Sequence, residues 1–170
     1  MKDITSEQLR AMQTPLKESY RENPNAAVIT LHADGQIGEG ISCSVKTGKA
    51  LVEAGLHPAT GGSGLQACSG DMLLQALVAC SGVTLSTVAT ALDIELRSGK
   101  VTAKGDLDFR GTLGVDKEAP VGFKSIRLYI SLDTDAEAES IKTLLKLTER
   151  YCMVYQTLRN GVDIEVSLVE

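Results

Sequence analysis

Along this chain, apolar positions fall into two helical patterns separated and preceded by alternating ones. The most continuous is MLLQALVACSGVTLSTVATAL, Met72 to Leu92, which carries no charged residue and is bounded by Asp71 and Asp93. Ser69 stands where it can cap such a helix, and Asp71 in its first turn suits the helix dipole. A second pattern places Ile141, Leu144, Leu145, Leu147, Tyr151, Val154 and Leu158 three or four residues apart. Thr134 and Glu137 have capping-box spacing ahead of it, and Asn160-Gly161 supplies a stop, so a single long helix is predicted here. Alternation with period two marks strands at Ala27 to Ala33, Ile37 to Lys46 and Ala50 to Ala54, joined by turn signals at Asp34-Gly35 and Thr47-Gly48. The stretch Gly55 to Gly70 reads as loop, Ile94 to Arg110 and Phe123 to Leu132 as strands flanking a loop at Gly111 to Gly122, and Val162 to Val169 as a closing edge or partner strand. Ser6 to Tyr20 is helical in pattern despite Pro15, giving an N-terminal arm over residues 1–25. The order strands, helix, strands, helix, strand predicts an α+β fold with antiparallel sheets around two long helices.

About 20 apolar residues suffice to cross a bilayer, so the charge-free run has to be weighed against a membrane reading. Gln75, Ser81, Thr84, Ser86, Thr87 and Thr90 lie within it, and no Lys or Arg adjoins its ends to anchor an orientation. A central helix enclosed by its own protein is the expectation, since helices apolar all round are core or membrane. With 170 residues and 43% hydrophobic content, one domain with a sizeable core is expected over residues 1–170. A net charge of −5 without any basic cluster argues against nucleic acid and anionic membranes as partners. The opening MKDITSEQLRAMQ lacks an apolar export core, and four irregularly spaced cysteines are unlike a secreted disulfide framework. A cytoplasmic setting is expected, where a thiol pair is more often redox-active than structural.

Candidate chemistry centres on Cys80, within the charge-free helix, and Cys152, within the second helix. Either alone reads as a small core hydrophobe; two thiols on two apolar helices are a way to build a buried redox pair without metal or cofactor. Cys68, in the loop ahead of the first helix, reads as a tolerated loop cysteine or a third redox thiol, and Cys43 as a core residue of its strand. His57 in HPATGG is an incidental loop histidine or a polar contact of the site. The glycine spacing of Gly62, Gly64 and neighbours has no βαβ unit around it, which removes a dinucleotide reading. No cysteine pair has two-residue spacing and only two histidines exist, so no metal centre and no cofactor are expected.

The segments LLQALVACSGVTL, Leu73 to Leu85, and ERYCMVYQTL, Glu149 to Leu158, resemble the two cysteine motifs of the OsmC/Ohr-like proteins, and the likeness runs from about Ala27 onward. That resemblance implies an OsmC-like fold, an intertwined homodimer with active sites at the interface, and reduction of organic hydroperoxides. Cys80 would be the peroxidatic cysteine and Cys152 the resolving one, with an external dithiol resetting the pair and oxidative-stress defence as the role. A pocket lined by Leu73, Leu77 and Val154 would favour alkyl over hydrogen peroxide. The family's glutamate ten positions ahead of the first cysteine is Gly70 here, the proline after the second is Met153, and Val28 to Ala33 offers His32 in place of an arginine. Because Cys80 lies well inside its helix, a cation is expected to be needed to lower its pKa. Two functions are therefore carried forward: a thiol peroxidase, and a non-enzymatic protein that binds a small apolar ligand in the interfacial pocket.

Overall fold

The computed structural model describes residues 5–28, 35–37, 42–47 and 50–169. Helix α1 spans Ser6–Glu22 with Pro15 inside it. Its start is closed reciprocally: the Gln8 N–H donates to the Thr5 hydroxyl at 3.2 Å, and the Thr5 N–H donates to the Gln8 side chain at 3.0 Å, a capping box. A 3-10 turn, Pro24–Ala27, follows. Residues 29–34 lie outside the described set, and with them most of the strand expected at Ala27 to Ala33 and the Asp34 half of its turn.

Strands β1 Gly35–Ile37, β2 Ser42–Thr47, β3 Ala50–Gly55 and β4 Ala67–Cys68 form one sheet in chain order. β1 to β3 are antiparallel, as the alternation predicts, and the pairing of Thr47 with Ala50 closes the second hairpin. Cys43 pairs in register with Ile37 and with Ala54; whether its side chain is core lies outside the described residues. The glycine-rich stretch expected to be all loop contains a 3-10 turn, Pro58–Thr60, and then β4, which runs parallel to β3. Two residues of pairing carry too little pattern to stand out against glycine and proline.

Helix α2, Ser69–Ala91, follows β4 directly. Strand β5, Ser98–Leu107, pairs with β6, Phe123–Asp133. β5 starts later than the expected Ile94 and ends earlier than Arg110. Ile94 and Leu96 instead pack on the core, and Asp108 caps the short helix α3, Phe109–Thr112, by accepting the Arg110 N–H at 3.2 Å.

The second helical pattern divides into α4, Ala138–Tyr151, and α5, Met153–Asn160, with Cys152 extended between them at φ −72°, ψ 106°. The expected capping box does not form. Glu137 is the N-cap and makes no side-chain cap bond, while the Thr134 hydroxyl accepts the Ala136 N–H at 3.2 Å and donates to the Glu95 carbonyl at 2.6 Å. Gly161, at φ 70°, ends α5 where Asn160-Gly161 signalled a stop. Residues 161–169 pair with no strand among the described residues, although their alternation is strand-like.

By contact density the chain divides into two compact units, one of Met1–Arg10, Ala76–Thr102 and Tyr129–Glu170, the other of Ala11–Gln75 and Ala103–Leu128. The first holds the core. Leu85, Val88 and Ala89 of α2 pack with Leu144 of α4, flanked by Ile94, Leu96, Ile130, Leu132, Leu145 and Leu147. Burial of each large side chain contributes about 1.5–3 kcal/mol. Along α2 the buried residues Leu77, Ser81, Leu85, Val88 and Ala89 recur at helical spacing and mark one stripe. Among the described residues α2 is the one helix long and apolar enough to cross a bilayer.

Candidate functional site

Both candidate cysteines lie in the first unit, and the structure brings them together. Ser81 and Cys152 are buried, at 0% and 1% exposure, and the Ser81 Oγ and Cys152 Sγ are hydrogen-bonded at 3.4 Å. Cys80, one residue earlier on α2, is half-buried, and both thiols are free. The Cys152 thiol is a hydrogen-bond partner of the Cys80 sulfur. Consecutive residues on a helix point about 100° apart, so α2 grips the second thiol with Ser81 while presenting the first beside it.

The break between α4 and α5 is what makes this arrangement. The buried Thr148 hydroxyl donates to the Leu144 carbonyl at 2.8 Å, and the Cys152 N–H donates to the Thr148 carbonyl at 2.9 Å, completing α4. The Gln156 side chain reaches back to the Glu149 carbonyl at 2.8 Å, satisfying an acceptor left over at the helix end. A new helix starts with the Gln156 N–H donating to the Cys152 carbonyl at 3.0 Å. The first N–H groups of any α-helix have no partner inside it, and at α5 these belong to Met153 and Val154. Both are directed at the Cys80 sulfur.

Burial by itself pushes the Cys80 thiol up. The Val154 N–H, the Cys152 thiol, the Met153 N–H and the Thr84 hydroxyl outweigh it, and the net result is a thiol below its ordinary value of 9.0. The leading influences are neutral hydrogen-bond donors from the main chain and from side chains. Helix dipole and backbone donors do act on Cys80, but they come from α5 rather than from its own helix. A sequence scan misses this because backbone N–H groups have no residue signature. The position after Cys152, proline in the related motif and Met153 here, is the one signal that a helix begins at that point.

Other expected site residues fall elsewhere. Leu77 is buried in the stripe of α2 that also carries Ser81 and Leu85. His57 and Cys68 belong to the second unit, where they line a cavity with Phe109 and Phe123. Among the described residues no cluster of three or more His, Cys, Asp or Glu side chains could hold a metal ion.

Comparison with known proteins sets this geometry in a family. The fold is similar to that of the OsmC-like protein from Mycoplasma pneumoniae, with a TM-score of 0.65, 17% identity, and 78% of this chain and 89% of that one covered. It is similar also to an organic hydroperoxide resistance protein OsmC from Legionella pneumophila, described as a predicted redox protein, with a TM-score of 0.62, 19% identity, and coverages of 81% and 94%. An organic hydroperoxide resistance protein from Elizabethkingia anophelis matches with a TM-score of 0.63, 19% identity, and coverages of 79% and 91%. Among curated proteins, none matches. The OsmC-like protein family model matches residues 62–167, the stretch that carries α2, both thiols and the broken helix, and the chain belongs to the OsmC-like family.

Proposed function

We propose that this protein is a thiol-dependent peroxidase that reduces organic hydroperoxides through Cys80 and Cys152. The observation that carries the reading is the set of donors on the Cys80 sulfur: two backbone N–H groups from α5, the Thr84 hydroxyl and the Cys152 thiol, which together hold it below its ordinary pKa. A thiolate, not a thiol, is the nucleophile, and these groups stabilise it.

In the first step the Cys80 thiolate donates an electron pair to the terminal peroxide oxygen. The S–O bond forms, the O–O bond breaks, and the departing alkoxide takes a proton to leave as the alcohol. Cys80 is oxidised to a sulfenic acid. The Cys152 thiol then attacks that sulfur, forming a disulfide and releasing water, and an external dithiol returns both cysteines to thiols by exchange. Ser81 holds Cys152 for the second step through its hydrogen bond. Hydroperoxide resistance in the names of the Legionella and Elizabethkingia proteins agrees with this chemistry. A homodimer is part of the proposal, with oxidative-stress defence as its role.

The test is consumption of cumene hydroperoxide with a dithiol reductant, wild type beside Cys80→Ser and Cys152→Ser. Cys80→Ser abolishes turnover; Cys152→Ser gives one turnover and leaves a sulfenic acid on Cys80, detected by dimedone labelling. Wild-type consumption no faster than that of Cys80→Ser removes the enzyme and leaves ligand binding as the function.

A further inference from the structure

We infer that the second compact unit carries a covalent capture site, in which Cys68 adds to small, flat, neutral α,β-unsaturated carbonyl compounds. A cavity of about 210 Å³ is lined there by His57, Cys68, Asp71, Leu74, Phe109 and Phe123, together with Gly70, Gly105 and Leu107. Pockets for drug-sized ligands run to roughly 300–1,000 Å³, so the occupant is a single ring or a short chain. Two phenyl rings and two leucines supply a flat apolar lining.

The polar groups define the rest of the ligand. His57 Nδ1 accepts the Ala59 N–H at 3.0 Å, which places the ring proton of the neutral imidazole on Nε2. His57 therefore offers a donor and is not set up as a base for the thiol. Its ring is held by stacking on Phe109, centroids 5.0 Å apart and 21° from coplanar. A carbonyl oxygen is the complementary acceptor. Asp71 at the same cavity disfavours carboxylates and phosphates. The nucleophile present is the half-buried Cys68 thiol, directly ahead of α2, so the matching reactive centre is an electrophilic carbon.

Gly70 keeps this space open. It lies inside α2, where glycine is a poor residue, yet a Cβ there would stand 3.5 Å from the Phe123 ring, 3.6 Å from the Cys68 sulfur and 3.7 Å from Leu107. Those are ordinary van der Waals distances, so a side chain fits at Gly70, and a large one occupies the space beside the thiol. Phe123 in turn lies against Gly105, where any Cβ would collide with its ring.

The step is a conjugate addition. The Cys68 sulfur forms a bond to the β-carbon, and the C=C electron pair moves onto the enolate, whose oxygen accepts from His57 Nε2. The α-carbon then takes up, through water, the proton released by the thiol. The product is a thioether, with no change in net oxidation state and no second reactant. The inference does not rest on the peroxidase reading, and the two are tested at different cysteines.

The experiment incubates the full chain with cinnamaldehyde and follows intact mass and peptide maps for wild type, Cys68→Ser and Gly70→Leu, with iodoacetamide as a small alkylating control. Expected is one adduct on Cys68 in wild type, none at that position in Cys68→Ser, and a slowing of roughly tenfold in Gly70→Leu, the loss of one well-filled contact region. Iodoacetamide should still label Cys68 in Gly70→Leu. A variant-free arm adds the saturated analogue hydrocinnamaldehyde, which fits the cavity without adding to the thiol and should protect Cys68 of the wild type from cinnamaldehyde. Equal cinnamaldehyde rates in wild type and Gly70→Leu, absence of protection, or adducts confined to Cys80 each overturn the site.

Discussion

At the scale of single residues, the chemistry of this chain depends on which atoms face one sulfur. Cys80 receives donors from Val154, Cys152, Met153 and Thr84. Iodoacetamide labelling of Cys80 should therefore reach half its plateau rate below pH 9.0, and the midpoint should return to the ordinary thiol value in denaturant. The sign follows from linkage. A depressed pKa means that the folded chain favours the thiolate, a preference fully present above the unfolded value and lost as pH falls through the folded one. Thr84→Val removes one donor and should move the midpoint up. Leu144, fully buried where α4 meets α2, tests the core: Leu144→Ala should cost about 2–5 kcal/mol in urea unfolding, with the midpoint shifted and the slope kept. Cys80 and Cys152 could be named from sequence because thiols are rare and both fall in apolar helical patterns. The Val154 and Met153 donors to Cys80 could not, since they are main-chain groups that every residue shares, brought from a distant helix.

At the scale of elements, the break at Cys152 is the decisive feature. Apolar spacing continues from Ile141 to Leu158 across it, so periodicity alone reads one helix where there are two. One extended residue leaves the facing stripe nearly in phase while exposing a fresh set of unpaired N–H groups. Met153→Pro probes this directly. Proline suits the first position of a helix, and extended Cys152, at ψ 106°, is compatible with a following proline. Helix content by circular dichroism should be unchanged. Yet the Met153 N–H is gone, so the Cys80 labelling midpoint should rise. A loss of helix signal with no change at Cys80 would show that α5 does not supply the donor.

At the scale of the whole molecule, many large apolar side chains among the described residues stand exposed, as at a surface awaiting a partner. Val83 on α2, Tyr151 and Met153 at the helix break, and the whole alternating tail stand open, with Val166 and Leu168 each 94% exposed. A segment with strand alternation and no strand partner among the described residues is suited to pairing with an edge of another copy. Light scattering at micromolar concentration should give twice the 18.0 kDa chain mass. Truncation after Gly161 should weaken that dimer. A monomer under both conditions would remove the intertwined assembly and leave the exposed faces to some other partner.

Pattern and composition by themselves determined the α+β order, the two helical regions, the hairpin from Ser42 to Gly55, the stop at Gly161 and the two cysteines of interest. Each of these is a local property: side-chain period, a turn residue, a rare reactive group. Tertiary structure alone decided the break at Cys152, the pairing of Cys80 with backbone donors, the Ser81 hold on Cys152, and the cavity that joins His57 to Cys68. All four depend on groups distant in sequence meeting in space, and on N–H and carbonyl groups whose availability is set by where a helix starts and ends. A charge-free helix announces that something must cover it; only packing shows which of its faces holds a thiol.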